Sequence, residues 1–518
     1  MVYCCRPSKN CLGCRQRRIK CDLRLPDCSQ CKRAGIKCSG YRDLVSLLFR
    51  DENAKTQQRS AATKDRSRSQ KQDRLVLTTW PSSSVDDRGL RFFLDRFTNC
   101  SHWIKSNGQT STVHPYIREL MDSQPSRESL MAVGLAALAN TTDDKACHTA
   151  ALQKYVASIN FIRQTLQDPV NASLDSTLKL LMALSIYEFV NNRPGSLYYW
   201  KVHVEGALAF IRQKHKPSMP ERPKDMPELQ SYLFVIMKYF SSGGKIPGEL
   251  LAWTPAKRAT PLLDSASSLI DILVRFVRVS DYWRHGHTDA EEIFHAALLL
   301  DKELEDWEAN LDGDEWSFVT KVSKHISGLY QGKYHVYSNL WAHRILNHYR
   351  WSRILVNEIL YLHILKLATP TDVQIMQQQT ALATTSRLAA DICFSVPSQT
   401  NLVRQEVGKE ADTPPINGVF VLVLPLMIAG SACGVSDELH DWVVMMLGVI
   451  GSYIGIRFAS ESIPGLKKMR EAKKAGGSAS WVCPLDFSGV MRVTSLDRDS
   501  DEPSPDRLYK NWPGDRPS

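Results

Sequence analysis

Six cysteines stand at positions 11, 14, 21, 28, 31 and 38, so that the intervals between them hold two, six, six, two and six residues. This is one C-x2-C-x6-C unit written twice. The C-x2-C pair is a local clamp for tetrahedral Zn²⁺, and each unit brings three thiolates toward one point. Three ligands leave a tetrahedral site one short, and the first histidine of the chain is His102. Two ions need eight ligand contacts, which six cysteines supply if two of them bridge both metals. A cluster of two zinc ions held by Cys11, Cys14, Cys21, Cys28, Cys31 and Cys38 is therefore the economical solution. Three disulfides would suit a small secreted scaffold, but MVYCCRPSKNC has neither an apolar signal segment nor a small-residue cleavage site. An iron-sulfur cluster would use four of the six thiols, and a catalytic zinc would keep one position open for water. The expected role is structural. Cys4 and Cys5 fall outside the repeat.

The metals must hold up a segment too short for an apolar core. Between Cys11 and Cys38 only Leu12, Ile19, Leu23, Leu25, Ala34 and Ile36 offer aliphatic filling, so folding is expected to depend on zinc. The stretch CRQRRIKC should form a short helix and turn with Cys14 inward and Arg15, Arg17, Arg18 and Lys20 around the outside. Arg24, Lys32, Arg33 and Lys37 add to them, against only Asp22 and Asp27. Residues 1–80 hold 19 Lys and Arg against 7 Asp and Glu, a net of +12, whereas the whole chain is +10. Two Zn²⁺ and six thiolates would lower that by two and leave it clearly positive. Basicity thus belongs to the head, which reads as a nucleic-acid contact. Arg pairs bidentately with guanine O6 and N7, Lys reaches the same acceptors, and the remaining cations fall to phosphates.

Behind the head, residues 55–87 are polar and rich in Ser, Gln and charge, as a flexible linker is. Their basic run over 64–74 could serve nuclear import or trail along phosphates. From about Gly89 amphipathic helices take over. Tyr155, Ile159, Ile162 and Leu166 recur at helical spacing, 174–190 is almost wholly apolar, and LYYWKVHVEGALAFIRQ fits a further helix. More helices are expected over 265–279, 290–307, 337–365 and 380–394, with proline-rich or polar loops over 215–228 and 397–415. The apolar runs 419–430 and 442–456 are too short to span a bilayer and read as buried elements. The five remaining cysteines, Cys100, Cys147, Cys393, Cys433 and Cys483, are scattered and should pack as small hydrophobes. LKKMREAKKAGG reads as a solvated basic helix, and 495–518 as a disordered tail. The fold class expected is a small zinc-stabilised binuclear cluster domain followed by a mostly α-helical domain.

CLGCRQRRIKCDLRLPDCSQCKRAGIKC resembles the fungal zinc binuclear cluster DNA-binding domain. The body over about 88–460 is similar to the regulatory middle region of fungal transcription factors, through FFLDRF, YVASINFIRQTL, LYYWKVHVEGALAFIR and YSNLWAHRILNHYRWSRIL. The resemblance implies Cys11 and Cys28 as the bridging thiolates and a first helix whose carboxy-terminal end reads a CGG-type triplet in the major groove. It puts Arg17 and Arg18 at the base-facing positions, Arg15 and Lys20 beside them and Pro26 in the loop joining the halves. Many relatives carry Lys where this chain has Arg, which keeps the charge and changes its geometry. A regulatory, effector-responsive or partner-binding body is implied with it.

The domains expected are a zinc cluster over 1–45, a basic linker over 46–87, a helical regulatory domain over 88–465 and a basic segment and tail over 466–518. The function expected is a nuclear, sequence-specific regulator of RNA polymerase II transcription, with double-stranded DNA as partner and no membrane. Coregulators are further partners, and without a strong coiled coil the chain would bind DNA as a monomer or as a homodimer formed through its body. The competing reading is a nuclear scaffold or corepressor whose zinc module binds protein. An enzyme is not expected: His203 sits in a helical context without a nucleophile, and Asn347, Arg350 and Arg353 suit a structural polar network.

Overall fold

The computed structural model describes residues 10–24, 26–40, 84–98, 115–167, 174–214, 226–242, 260–286, 289–400, 418–475 and 480–481. The chain divides into two compact units, one holding 1–82 with 322–333 and the other holding the rest. Among the described residues the head of the first unit carries two five-residue helices, α1 (Leu12–Gln16) and α2 (Ser29–Arg33). Linker residues 46–83, together with Cys4, Cys5, Cys100, Cys483 and the tail over 482–518, lie outside the described residues.

The second unit begins at α3 (Val85–Phe97), inside the stretch assigned to the linker. Ser84 caps it by accepting the Asp87 N–H at 3.0 Å, and Asp86 and Asp87 stand in the first turn, so a polar sequence that reads as coil is a helix start. Then come α4 (Pro115–Asp122), α5 (Gln124–Thr142), α6 (Lys145–Gln167), α7 (Leu174–Asn191), α8 (Ser196–Lys214), α9 (Met226–Ser242), α10 (Pro261–His285) and α11 (Ala290–Ala309). Most pack on their sequence neighbours as helical hairpins, and α3 also crosses α5. At that crossing a Cβ on Gly134 would stand 2.0 Å from the Gly89 carbonyl oxygen, so only glycine permits the approach.

A two-stranded sheet pairs β1 (Phe318–Val322) with β2 (Lys333–Tyr337), whose last residue, Tyr337, is the first of the helix expected over 337–365. That helix, α12 (Leu340–Leu365), starts later because Asn339 caps it, accepting from the N–H groups of Trp341 and Ala342. Of its 26 residues 24 are buried, which makes it the central element, packed by α10, α11, α13 (Asp372–Gln399) and α14 (Val419–Ser431). Pro397 lies inside α13 instead of opening a loop. Next come α15 (Asp437–Val449), a π-helical turn (Ile450–Ile454), α16 (Arg457–Glu461) and α17 (Ile463–Lys474). The two long apolar runs are buried, and no described helix is long and apolar enough to cross a membrane. Beyond residue 465, where a boundary is expected, Leu466 and Met469 of α17 are buried, as are Ser480 and Trp481.

Three histidines of the α12 region are buried neutral. Burial and, secondarily, the Arg350 charge push His335 down to about 3, and burial with Arg344 does the same to His348. His343 falls well below its ordinary value, through burial first and then Arg350. An unfolded chain protonates all three near pH 6.5, so acid favours unfolding. Stability of this unit should be complete above about pH 7 and decline as pH falls from there toward 3. Each histidine contributes a loss of about 1.4 kcal/mol at pH 5.5, and thermal melts across pH 5 to 8 check the slope.

Candidate metal centre and nucleic-acid surface

Each C-x2-C pair opens one short helix of the head. The N–H of Cys14 donates to Cys11 Sγ at 3.4 Å, and the N–H of Cys31 donates to Cys28 Sγ at 3.3 Å. The repeat in sequence is thus a repeat in structure, with the first sulfur of each unit accepting the amide three residues on. Both helices end alike as well. Ile19 N–H reaches back to the Cys14 carbonyl at 3.0 Å, and Ile36 N–H to the Cys31 carbonyl at 3.2 Å. These are Schellman closures, which need one residue with positive φ: Arg18 at 56° in the first half and Gly35 at 65° in the second.

The sulfurs converge. Cys11 Sγ lies 3.7 Å from Cys28 Sγ, 3.6 Å from Cys31 Sγ and 3.9 Å from Cys21 Sγ, and Cys14 Sγ lies 3.6 Å from Cys28 Sγ. Zinc–sulfur bonds of about 2.3 Å in a tetrahedron give an edge of about 3.8 Å, so these separations are those of metal ligands. Two groups of four form, Cys11, Cys14, Cys21, Cys28 and Cys11, Cys28, Cys31, Cys38. Cys11 and Cys28 belong to both, as bridging thiolates must. No disulfide joins any of the six. Among thiols alone, burial pushes Cys14 up to about 11 and also raises Cys28 and Cys31. Cys11 is brought down to about 6, where the Cys14 amide and neighbouring thiols outweigh burial. Six buried thiolates need positive charge between them, and two dications provide it. The donor set fits a binuclear zinc cluster.

As expected of so short a segment, no aliphatic core forms among the described residues of the head. Leu12, Ile19, Leu23 and Ile36 are all exposed, Ala34 with them, and the six cysteines are the buried set; Leu25 lies outside the described residues. The side chains are too few and the fold too open to bury them, so sulfur and metal are the core.

Around it lie the cations. Arg18 and Lys20 are exposed, and Arg18 makes no hydrogen bond or ion pair among the described residues. Arg15 lies in α1, with its side chain outside the described set. Arg17 is turned back: its Nε donates to the Gly13 carbonyl at 3.2 Å, and one terminal nitrogen donates to the Gln30 carbonyl at 3.2 Å and approaches Cys31 Sγ at 3.8 Å. No sequence signal marks that contact, because its main acceptor is a backbone carbonyl thirteen residues away.

The second unit brings together no comparable constellation among its described residues. His203 is buried with Tyr155 and Glu188, its Nε2 3.1 Å from the Tyr155 hydroxyl, which donates to Glu188 at 2.5 Å. Asn347 donates to Ser395 at 3.0 Å, Arg350 to Asn347 and to the Tyr337 hydroxyl, and Arg353 to Asp301 and Tyr349. This is the structural network expected of them. The isolated Cys147, Cys393 and Cys433 are buried. In a cleft of about 730 Å³ lined by residues of α5, α6, the π-helical turn and α16, Glu461 pairs with Arg457 and Asn192, and Asp144 with Arg88.

Residues 9–46 match the Fungal Zn(2)-Cys(6) binuclear cluster domain, and residues 90–463 match the Fungal specific transcription factor domain. The chain belongs to the fungal-specific transcription factors. Both matched domains are regulatory and not catalytic. White-opaque regulator 2 of Candida albicans is 49% identical over 51 residues, a stretch that covers 10% of this chain and 11% of that protein. No solved structure matches the chain.

Proposed function

We propose that this transcription factor is a nuclear, sequence-specific regulator of RNA polymerase II genes whose zinc head reads a CGG-type triplet in the major groove of double-stranded DNA. The observation that carries the reading is the pair of four-sulfur groups sharing Cys11 and Cys28 beneath exposed cations. A metal-held body fixes the cations before DNA arrives, so recognition does not have to order them.

Arg18 is the base reader. It holds the left-handed backbone conformation that the second half gives to Gly35, and a side chain there costs about 1–2 kcal/mol. A strained residue kept where glycine would be easier is accounted for by its side chain. Arg15 and Lys20 contact phosphates on either side. Arg17, placed on the bases by the resemblance, is engaged elsewhere. The head extends to about residue 45 and the regulatory body starts at Val85; coregulators, and a second copy through the body, are its protein partners.

Binding of the zinc-loaded full chain to a CGG duplex and to a base-permuted duplex tests the reading. Arg18→Gly should lose discrimination between them, at about 1–3 kcal/mol for the lost guanine contact, while its zinc head is at least as stable as wild type. Affinity for both duplexes should fall steeply with salt. Equal binding of wild type to both duplexes would favour a protein-binding scaffold.

A further inference from the structure

Aligning the two halves of the head on their cysteines puts Arg15 opposite Lys32, Arg18 opposite Gly35, Ile19 opposite Ile36 and Lys20 opposite Lys37. Arg17 stands opposite Ala34. A cation present in one half and replaced by a methyl group in the other is not required by the helix-and-turn unit itself. Its contacts say what it does instead. Through Nε it is anchored to the Gly13 carbonyl of its own half, and through one terminal nitrogen it reaches the Gln30 carbonyl and Cys31 Sγ of the other half. The halves are close at this point: a Cβ on Gly13 would stand 3.2 Å from Cys31 Sγ and 3.3 Å from Ile36 Cδ1.

We infer that Arg17 is a positioning residue of the metal centre, a strap that ties the first half of the head to Cys31 and neutralises part of that thiolate's charge. Cys31 belongs to the second metal group, Cys11, Cys28, Cys31 and Cys38, and the strap sets how the halves are oriented about the shared sulfurs. Only an arginine spans these acceptors, since a lysine ammonium lacks the planar fork. Hydrogen bonds to ligand atoms of this kind typically govern metal affinity 10- to 100-fold. The inference stands on the two-metal assembly and is independent of which residue reads bases.

Arg17→Lys in the full chain is the decisive variant, because it keeps the charge and removes the fork. Competition with a chromophoric chelator should show zinc leaving this variant about 10- to 100-fold more readily than wild type. In the cadmium-113-loaded chain one of the two metal resonances should move while the other holds, and Arg17→Ala should move the same one. Preference for the CGG duplex over the permuted duplex should persist in Arg17→Lys. Wild-type zinc retention and unchanged cadmium spectra in both variants would overturn the inference. So would an altered base preference in Arg17→Lys without any change at the metals, which would return Arg17 to the bases.

Discussion

Chelation of zinc from the full chain should abolish the specific DNA binding proposed for it and unfold residues 11–38, while most of the helical signal of the chain survives. This is the largest effect expected of the protein. The six cysteines are the buried set of the head, and its described aliphatic side chains lie open to solvent. No described aliphatic side chain is buried to hold the halves once the metals leave, and metal binding in units of this size supplies on the order of 10 kcal/mol of folding free energy. The second unit is built otherwise. Its core is packed helices, and its described cysteines are single buried thiols far apart in sequence. Far-UV circular dichroism should therefore lose little on chelation, while binding to any DNA duplex weakens and discrimination disappears. Acid acts in the same direction, since each ligand must be a thiolate to hold zinc.

Replacing Glu358 by glutamine destabilises the helical unit by about 3–5 kcal/mol, the cost of breaking a buried ion pair from one side. The Glu358 side chain is wholly buried in α12 and accepts from the Cys433 N–H and from Lys473 Nζ, each at 2.8 Å, and from the Ser480 hydroxyl. It is the point where the end of the described chain meets the centre of the body. Trp481 completes the closure, its indole donating to Ser431 Oγ at 2.7 Å and its carbonyl accepting from Arg284 at 3.0 Å. The glutamine variant leaves the Lys473 ammonium buried without its counter-charge. Lys473→Met costs less, because the carboxylate keeps the Cys433 and Ser480 donors. The double variant Glu358→Leu/Lys473→Met should recover much of the loss, as apolar replacements of buried pairs do. Denaturant melts of the three variants check the order, and a double variant worse than Glu358→Gln alone would contradict it.

The head was legible in the sequence because its chemistry is written as spacing. Two C-x2-C-x6-C units leave few ways to satisfy two tetrahedral ions, and the shared sulfurs Cys11 and Cys28 agree with that count. Its finer organisation was legible only in part. Register between the halves places Arg18 opposite Gly35, a signal that alignment of the repeat exposes, whereas the Arg17 strap depends on a backbone carbonyl that no pattern announces. In the body, long apolar stretches such as 174–190 and 419–430 declared themselves. The start at Val85 was hidden by polar residues that act as cap and first turn. At the other end, Leu466 and Met469 are outnumbered by lysines and arginines, so an inward face three residues apart passed for a solvated helix. Lys473 was the least readable, since a charged side chain is buried only where a partner such as Glu358, 115 residues away in sequence, waits for it.

In the function proposed for the head, a metal-fixed set of cations reads guanine-containing steps in DNA. Selection of duplexes from a random pool by the zinc-loaded full chain tests it most directly. Enrichment of a motif built on CGG, lost in Arg18→Gly and kept in Arg17→Lys, is the predicted result. A pool that stays random under wild-type protein with both zinc ions bound would contradict base reading by the head.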